Sequence, residues 1–383
     1  MPGTSVRIVI VTNILSPYRI PLFTALGRKN GIELTVVLLA ESEANREWQV
    51  DRTSAGFKCH VLHGRHAFLT RCELAIHLNW GLGRLIRRSK PDVLIVSGYD
   101  NLAYWMALLH AKRLRRPLIL WFESSLLSAA YSAGPIAAAK RFFVGQVDAC
   151  VPFGTKAKEC VLALGADPER VFTGINTVDM DWYSRESRTI REHSSFATAR
   201  VNYPPVLLLY VGQLTERKNV WGLLEALGKL QDPDLGLLVV GSGPQEGALK
   251  DLCRRRGLEN VYFEGYKQQP QLPRYYSLAD VLVLPSVKEV WGLVVNEALA
   301  SGLHVLCSDR AGAGYDLIEE GWNGRLFNPH DVGQLGELIR KTKSEIDEIR
   351  ARRGAISEHA CREFGIERSA RAFLEAIASV TRA

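Results

Sequence analysis

Residues 285–309 read Pro285-Ser-Val-Lys-Glu289-Val-Trp-Gly292-Leu-Val-Val-Asn-Glu297-Ala-Leu-Ala-Ser-Gly302-Leu-His-Val-Leu-Cys307-Ser-Asp309. This stretch follows an apolar strand and predicts a Trp-Gly turn, a helix and a second apolar strand. Glu289 lies before the turn, and Glu297 lies in the helix. The carboxyl ends of parallel strands face the crevice where α/β sheets bind ligands. Because an ionised carboxylate accepts two hydrogen bonds from a diol, the pair is suited to sugar or ribose hydroxyls.

Apolar strands and amphipathic helices alternate on both sides of this stretch, which is typical of βαβ units with a parallel sheet. Strands are predicted at Val6–Thr12, Ile32–Ala40, Phe57–Leu62, Asp92–Ser97, Pro117–Phe122, Asp148–Val151, Val206–Val211, Leu235–Val240, Asn260–Phe263, Val281–Leu284 and His304–Cys307. Helices are predicted at Cys72–Arg88, Leu102–Leu114 and Val332–Thr342, among others. The pattern indicates an α/β fold.

A polar, weakly periodic segment between Met180 and Pro205 interrupts the alternation and is predicted to be a linker. A chain of 383 residues is too long for one ordinary core, so two domains are expected. We predict two doubly wound, Rossmann-like domains that face a cleft, at residues 1–182 and 206–365, with the linker at 183–205. Residues 366–383 are predicted to form a helix that packs back on the first domain.

The composition is that of a soluble globular protein, with 47% hydrophobic and 23% charged residues. The 48 Lys and Arg residues outnumber the 41 Asp and Glu residues, and this excess suits nucleotide phosphates, a lipid diphosphate or an acidic membrane surface. Nucleic acid is not an expected partner, since no nucleic-acid motif appears.

Seven cysteines are scattered along the chain without a Cys-x-x-Cys pair, as buried thiols of a cytosolic protein would be. The first residues predict a strand and its loop rather than a signal peptide. Every other apolar stretch is too short to span a membrane. We therefore expect a cytoplasmic protein that is at most peripheral on the inner face of the plasma membrane.

Two glycine turns follow strands in the second half. The first, Gly212-Gln213-Leu-Thr-Glu-Arg217-Lys218, places two cations after a strand, which suits a diphosphate, although a solvated basic loop has the same pattern. The second, Gly241-Ser-Gly243-Pro244, is a partial G-x-G and a weak dinucleotide fingerprint, but it fits a tight turn that lines a nucleotide pocket.

The order of these motifs resembles family 4 of the retaining GT-B glycosyltransferases. The matching patterns are G-x-L-x-x-R-K-N from Gly212, V-G-x-G-P from Val240, two glutamates eight residues apart at Glu289 and Glu297, and Ser-Asp at 308–309. Cys150–Asp179 also resembles that family's pattern at the end of its first domain. The resemblance implies an enzyme that moves a sugar from a nucleoside-diphosphate donor with retention, without a metal or other cofactor.

The resemblance also implies roles for individual residues. Lys218 and Glu289 carry the chemistry, with Lys218 on the donor diphosphate and Glu289 on the donor-sugar hydroxyls. Glu297 binds the ribose, and Tyr266 contacts the base. The remaining donor-site residues are Gly212, Gln213, Arg217, Gly241 and Gly243, together with Gly292, Leu293 and Val294, whose backbone N–H groups would bind the distal phosphate.

Three departures from the family pattern matter. Gln213 stands where the family usually has an arginine, so either Arg217 compensates or the diphosphate is bound more weakly. The loop after the first strand lacks the common glycine pair, which makes Tyr18 and Arg19 candidates for contacting the acceptor or a phosphate. Glu123 stands near the family's usual histidine and either orients the acceptor hydroxyl or is a solvated residue beside a helix cap.

Three other signals have structural interpretations. His60, His63 and His66 lack a nearby Cys or Asp that would complete a metal site, so a structural or solvated role is expected. Asp179-Met-Asp181 is interpreted as turn chemistry rather than a metal motif. Trp80 and Trp105 are predicted to be core residues, as is Trp291 unless its place beside Glu289 makes it a sugar platform.

The leading hypothesis is a retaining hexosyltransferase in the biosynthesis of a cell-surface glycan, polysaccharide or glycolipid. The acceptor is a glycan, a lipid-linked molecule or a small molecule. Basic segments in the first half, at 65–71, 84–90 and 112–116, either rest on an anionic membrane or are solvated helix faces. A nucleotide-sugar epimerase and a non-catalytic nucleotide-sugar-binding subunit are the alternatives. A dinucleotide-dependent dehydrogenase fits least, since no full G-x-G-x-x-G follows the first strand.

Overall fold

The computed structural model describes residues 5–43, 56–69, 74–125 and 134–381. The chain forms two compact units, the first made of residues 1–176 and 366–383 and the second of residues 177–365. Each unit contains its own parallel sheet, as the alternating pattern predicted.

The first unit begins with a strand and ends with a long helix. Its strands are β1 (Val6–Thr12), β2 (Ile32–Leu38), β3 (Lys58–Val61), β4 (Gly64–Leu69), β5 (Leu74–Asn79), β6 (Val93–Val96), β7 (Leu118–Phe122) and β8 (Ala149–Pro152). Its helices are α1 (Ile20–Gly27), α2 (Leu82–Ser89), α3 (Leu102–Leu114), α4 (Gly134–Val144), α5 (Thr155–Ala163) and, at the end of the chain, α16 (Ile366–Thr381).

Six strands of the first unit form a parallel sheet in the order β3-β2-β1-β6-β7-β8. This is the doubly wound order, in which the chain leaves the centre in one direction and then in the other. Helices α2, α3, α4 and α5 share one apolar core on one face of the sheet, and α1 and α16 share the core of the opposite face. The C-terminal helix thus packs back on the first domain, which confirms that part of the fold prediction.

The second unit repeats the architecture with helices at both ends. Its strands are β9 (Val206–Val211), β10 (Leu235–Val240), β11 (Val261–Gly265), β12 (Val281–Leu284), β13 (His304–Ser308) and β14 (Gly324–Phe327). Its helices are α6 (Met180–Glu192), α7 (Ser195–Arg200), α8 (Val220–Leu230), α9 (Glu246–Arg256), α10 (Leu272–Leu278), α11 (Leu293–Ala300), α12 (Gly312–Leu317), α13 (Val332–Ser344), α14 (Ile346–Ala351) and α15 (Arg353–Phe364). The sheet order β11-β10-β9-β12-β13-β14 is again doubly wound.

The predicted linker at 183–205 is wrong in its structure, because most of it is helical and belongs to the second unit. Asp179 accepts a hydrogen bond from the Trp182 N–H at 3.0 Å and so caps α6, whose first turn contains Asp181; the predicted turn is thus the start of a helix. The helix packs through polar contacts: Ser187 donates to the Ser301 hydroxyl at 2.9 Å, and Arg191 donates to three backbone carbonyls. A helix whose buried face is partly polar shows little hydrophobic periodicity.

The predicted helix at Cys72–Arg88 is also wrong from Leu74 to Gly81, and residues 72–73 lie outside the described part of the chain. From Leu74 the chain forms β5, which pairs antiparallel with β4, and the helix begins only at Leu82. Successive side chains of a strand point to opposite faces. In β5 the side chain of His77 lies on the buried face, whereas those of Ile76, Leu78 and the following Trp80 are exposed. Trp80 is therefore not a core residue, whereas Trp105 packs on the core of the first unit and Trp291 is buried.

Candidate active site

The doubly wound sheet of the second unit has its switch point between β9 and β12, which are neighbouring strands whose connections run in opposite directions. Ligands of such sheets bind outside the carboxyl ends of the strands at this point. The turn after β9 carries Gly212 and leads to Lys218, and the loop after β12 carries Glu289. The sheet therefore brings together two segments that lie about seventy residues apart in the sequence.

The glycine turns after β9 and β10 touch backbone to backbone. The N–H of Gly212 donates to the carbonyl of Val240 at 3.0 Å, and that of Leu214 donates to the carbonyl of Ser242 at 2.9 Å. A Cβ atom on Gly241, whose φ is +143°, would lie 1.9 Å from the Gly212 carbonyl oxygen. A side chain has no room here, so both motifs need glycine to form one floor of the site.

Lys218 and Glu289 form an ion pair in this floor. The Lys218 Nζ donates to Glu289 Oε2, and both side chains are largely buried. The Ser286 hydroxyl lies 3.4 Å from the same carboxylate oxygen. The backbone N–H of Val287 donates to the carbonyl of Arg217 at 2.9 Å, which ties the two loops together. The predicted cation and carboxylate therefore share one site.

The turn between Glu289 and α11 is held from both sides. The N–H of Glu289 donates to the carbonyl of Arg310 at 3.3 Å, and the buried Trp291 indole donates to Asn296 at 2.9 Å. Gly292 has φ +99°, which is a left-handed conformation that favours glycine. Trp291 thus fixes the turn from the core. Helix α11 begins at Leu293, and its first N–H groups, including that of Val294, have no intrahelical acceptor, as at any helix start.

Glu297 lies one helical turn further along α11 and is buried. Its Oε2 atom accepts a hydrogen bond of 2.5 Å from the hydroxyl of Tyr276 in α10. Sequence reasoning missed Tyr276, because no local pattern connects an aromatic residue of one helix with a carboxylate of the next.

A second tyrosine that sequence reasoning missed, Tyr210, lies below the glycine turn and donates to the carbonyl of Gln213 at 2.7 Å. Burial raises the pKa of Tyr210, and the charge of Glu289 raises it further. Tyr210 therefore remains a neutral donor that supports the turn. Gln213 itself is exposed, and Tyr266 follows β11 and is partly buried.

The candidate acceptor residues lie in the first unit, where Arg19 is held inside the protein. Its guanidinium donates to Glu123 and, at 3.0 Å, to Asn176, and it lies 4.5 Å over the ring of Trp121. Burial lowers the pKa of Arg19 and the carboxylate of Glu123 opposes this effect. Glu123 is therefore an ion-pair partner of Arg19, although its own side chain is 35% exposed. Tyr18 precedes Arg19 in a short 3₁₀ turn and is partly buried.

Of the three histidines that the sequence grouped, His66 makes a notable contact. Its Nδ1 lies 3.0 Å from Nδ1 of His77, and Nε2 of the buried His77 lies 3.4 Å from a Glu43 carboxylate oxygen. Glu43 also accepts a hydrogen bond of 2.8 Å from Asn13. In the part of the chain that the structure describes, no group of three or more His, Cys, Asp or Glu residues is arranged to hold a metal ion.

Two family models match the chain, each inside one of the two units. The model described as a glycosyl transferase 4-like domain covers residues 22–173, and the model of the glycosyl transferases group 1 covers residues 194–358. Sulfoquinovosyl transferase SQD2 of Arabidopsis thaliana is 29% identical over 265 residues, which cover 67% of this chain and 50% of that protein. The D-inositol 3-phosphate glycosyltransferase of Thermomonospora curvata is 29% identical over 204 residues, which cover 50% of this chain and 47% of that protein.

The chain belongs to family 4 of the GT-B glycosyltransferases. Among solved structures, HepE of Anabaena in complex with UDP has a TM-score of 0.76 at 16% identity, with 97% of this chain and 100% of that chain covered. This likeness confirms the two-domain GT-B fold. The chain spans about half the length of the first curated relatives it matches. These family 4 relatives do not favour the epimerase or the non-catalytic interpretation.

Among the helices that the structure describes, α16 is the longest, with 16 residues. Among the described residues, no helix is both long and apolar enough to cross a bilayer.

Proposed function

We propose that this family 4 protein transfers a sugar from a nucleoside-diphosphate donor to a hydroxyl acceptor, with retention and without a metal ion. The observation that carries the proposal is the Lys218–Glu289 ion pair at the switch point of the second sheet. The segment that contains it matches the glycosyl transferases group 1 model. A buried cation beside a buried carboxylate suits a ligand that is anionic at one end and carries hydroxyls at the other.

The donor lies along the floor made by the two glycine turns. Lys218 and Arg217 neutralise the diphosphate, together with the N–H groups at the start of α11, where the helix dipole favours an anion. Glu289 accepts hydrogen bonds from the sugar hydroxyls. Glu297 accepts them from the ribose, and its bond to Tyr276 holds the carboxylate in one orientation.

The charges of these groups match those of the reaction. As the bond between the sugar and the phosphate breaks, negative charge grows on the leaving diphosphate, and positive charge grows on the anomeric carbon. Lys218 and the α11 amides stabilise the negative charge on the diphosphate, and Glu289 stabilises the positive charge on the anomeric carbon. Removal of one such contact typically lowers the rate by about 10²–10³-fold. In a front-face substitution the leaving phosphate takes the proton of the acceptor, so no protein nucleophile is needed.

Uridine is our first choice of base, because HepE of Anabaena has been solved with UDP and with UDP-glucose. The acceptor, a glycan, a lipid-linked molecule or a small molecule, binds the first unit near Tyr18. Arg19 acts there by orienting Glu123, since its own donors are engaged inside the protein. We place the protein in the cytoplasm with a peripheral contact to an anionic membrane and a role in surface-glycan or glycolipid biosynthesis.

The donor assignment is tested by thermal shift with UDP and UDP-sugars. Binding of a ligand to the folded state raises the melting temperature by mass action. UDP should raise it in the wild type but not in Lys218→Ala, because the diphosphate loses its cation. Glu289→Ala should keep the shift with UDP and lose the additional shift with the UDP-sugar, because only the sugar contacts are removed.

Lys250 and Glu246 provide a matched control, since they form an ion pair on the exposed side of α9 in the same unit. Lys250→Ala and Glu246→Ala should respond to both ligands as the wild type does. The absence of a shift with the diphosphates of uridine, guanosine and adenosine would contradict the donor site. Conversion of the donor without any acceptor would indicate an epimerase instead.

A further inference from the structure

Helices α2, α3 and α4 carry an unusually one-sided charge. They contain Arg84, Arg87, Arg88, Lys112, Arg113, Lys140 and Arg141 and no Asp or Glu. All three helices pack on the same face of the first sheet, where their apolar sides share one core. Their outer sides therefore form one layer in which the side chains of the three helices contribute positive charge only.

Large apolar side chains lie exposed in the same layer. Trp80 at the end of β5 is 58% exposed, Leu102 and Leu109 of α3 are 59% and 65% exposed, and Phe142 of α4 is 59% exposed. Phe142 stacks on Trp105 with the two rings 2° from parallel and 6.3 Å apart, which joins α4 to α3. Contiguous exposed apolar surface is rare on soluble proteins and marks an interaction site.

The hairpin of β4 and β5 extends this surface. The inner side of β5 carries the buried His77, and its outer side carries Ile76 and Leu78. Leu78 pairs with Arg65 of β4, and residues directly opposite in antiparallel strands project to the same side. A groove of about 230 Å³ between the hairpin and α3 is lined by Leu78, Trp80, Leu102 and Met106, among others.

We propose that this basic–apolar surface, made of the outer sides of β5, α2, α3 and α4, binds an anionic lipid bilayer. Lysines and arginines attract anionic headgroups, and a Trp side chain with leucine neighbours inserts at the boundary between headgroups and acyl chains. An acidic protein would satisfy the charges alone, whereas an anionic bilayer satisfies both the charges and the exposed apolar side chains that lie among them. This surface would make the membrane contact of the proposed function, on which it rests, and it is independent of the donor site.

The test is co-sedimentation of the full chain with vesicles. Vesicles of phosphatidylcholine alone should bind weakly, and vesicles with roughly one third phosphatidylglycerol should bind strongly, less so at high salt. Replacement of one cationic side chain near an anionic membrane by a neutral one lowers the membrane-binding constant of the protein about fivefold. The triple variant Arg84→Gln, Arg87→Gln, Arg88→Gln should therefore bind the vesicles about 100-fold more weakly. The matched control, Arg254→Gln, Arg255→Gln, Arg256→Gln, removes the same charge from exposed positions of α9 in the second unit and should bind like the wild type.

Insertion of the apolar side chains into the bilayer is measured separately, by the quenching of Trp fluorescence. Lipids brominated near the headgroup should quench Trp fluorescence in the wild type, and Trp80→Phe should lose much of this quenching while it still binds. Trp221→Phe, at the partly exposed Trp of α8, should keep it. Equal binding to neutral and anionic vesicles, or equal losses in the triple variant and its control, would overturn the proposal. So would binding to an oligonucleotide or an acidic protein without binding to vesicles.

A failure of this test leaves the thermal shift with UDP unaffected, because the nucleotide site lies in the second unit. The two proposals can therefore fail separately.

Discussion

His304 begins β13 inside the core of the second unit, and its surroundings determine its protonation. Burial, reinforced by the charge of Arg325, lowers the pKa of His304 from 6.5 to about 4. In the unfolded chain this side chain takes up a proton near pH 6.5, whereas in the folded protein it stays neutral until about pH 4. The unfolded state thus binds more protons in this window, and the stability contributed by the neutral histidine falls as the pH falls through it.

We expect His304→Leu to flatten the pH dependence of unfolding. Between pH 7 and pH 5 the wild type should lose about 2 kcal/mol more unfolding free energy than the variant. Urea denaturation at the two pH values measures the difference. His330→Leu, the same change at an exposed position, should keep the wild-type slope. A His304→Leu slope equal to that of the wild type would show that the histidine titrates normally.

At the scale of elements, one carboxylate ties three helices to the sheet of the second unit. Asp280 precedes β12 and accepts hydrogen bonds from Arg200 of α7, Arg350 of α14 and Arg353 of α15, at 3.1 Å or less. It also accepts one from the Leu207 N–H of β9 at 3.0 Å. Burial would raise the pKa of Asp280, but the hydrogen bond from Arg350 and the charge of Arg353 outweigh this and lower it. The carboxylate stays ionised at neutral pH, and its contribution is lost only as acid brings the pH through that lowered pKa.

Asp280→Asn should destabilise the second unit by about 3–5 kcal/mol, because three arginines lose their shared anion. The melting temperature of the second unit, measured by calorimetry, should fall accordingly. Asp251→Asn breaks the exposed ion pair with Arg254 in α9 and should cost less than about 1 kcal/mol. Similar losses in both variants would mean that the buried network is no stronger than a surface ion pair.

At the scale of the whole molecule, the chain ends in the unit where it began. Phe373 of α16 packs edge to face on Trp121 at 5.7 Å and on Phe153 at 6.0 Å. The Ser369 hydroxyl donates to the carbonyl of Ile175, which fastens α16 to the last residues before the second unit. Residues more than two hundred positions apart thus complete one apolar core.

Phe373→Ala should therefore destabilise the first unit selectively. A buried Phe replaced by Ala typically costs about 3–5 kcal/mol, so hydrogen exchange should accelerate in β7 and β8 while the second unit stays protected. UDP binding should persist. Arg371→Ala, on the exposed side of the same helix, serves as the control and should leave exchange unchanged. Faster hydrogen exchange throughout the second unit would contradict the conclusion that each unit has its own apolar core.

Continuous apolar runs were the parts of the fold that could be predicted well. Strands Val206–Val211, Leu235–Val240 and Val281–Leu284 have the predicted bounds, since each is buried on both faces of a parallel sheet. Helix α6 and the β4–β5 hairpin could not be found in this way. Helix α6 buries polar side chains, and strand β5 exposes apolar ones to solvent. Neither element therefore shows the pattern of buried apolar and exposed polar residues on which the prediction depends.

The sequence by itself determined the α/β class, the family and the loops that carry Lys218, Glu289 and Glu297, because glycines and charged residues at strand ends are local signals. Only the tertiary structure decided that Lys218 meets Glu289, that Tyr276 meets Glu297, and that Arg19 is held by Glu123 rather than left in solvent. The physical reason is the sheet order. A doubly wound sheet places β9 beside β12 and β1 near β7, and no short-range pattern encodes which strand ends become neighbours.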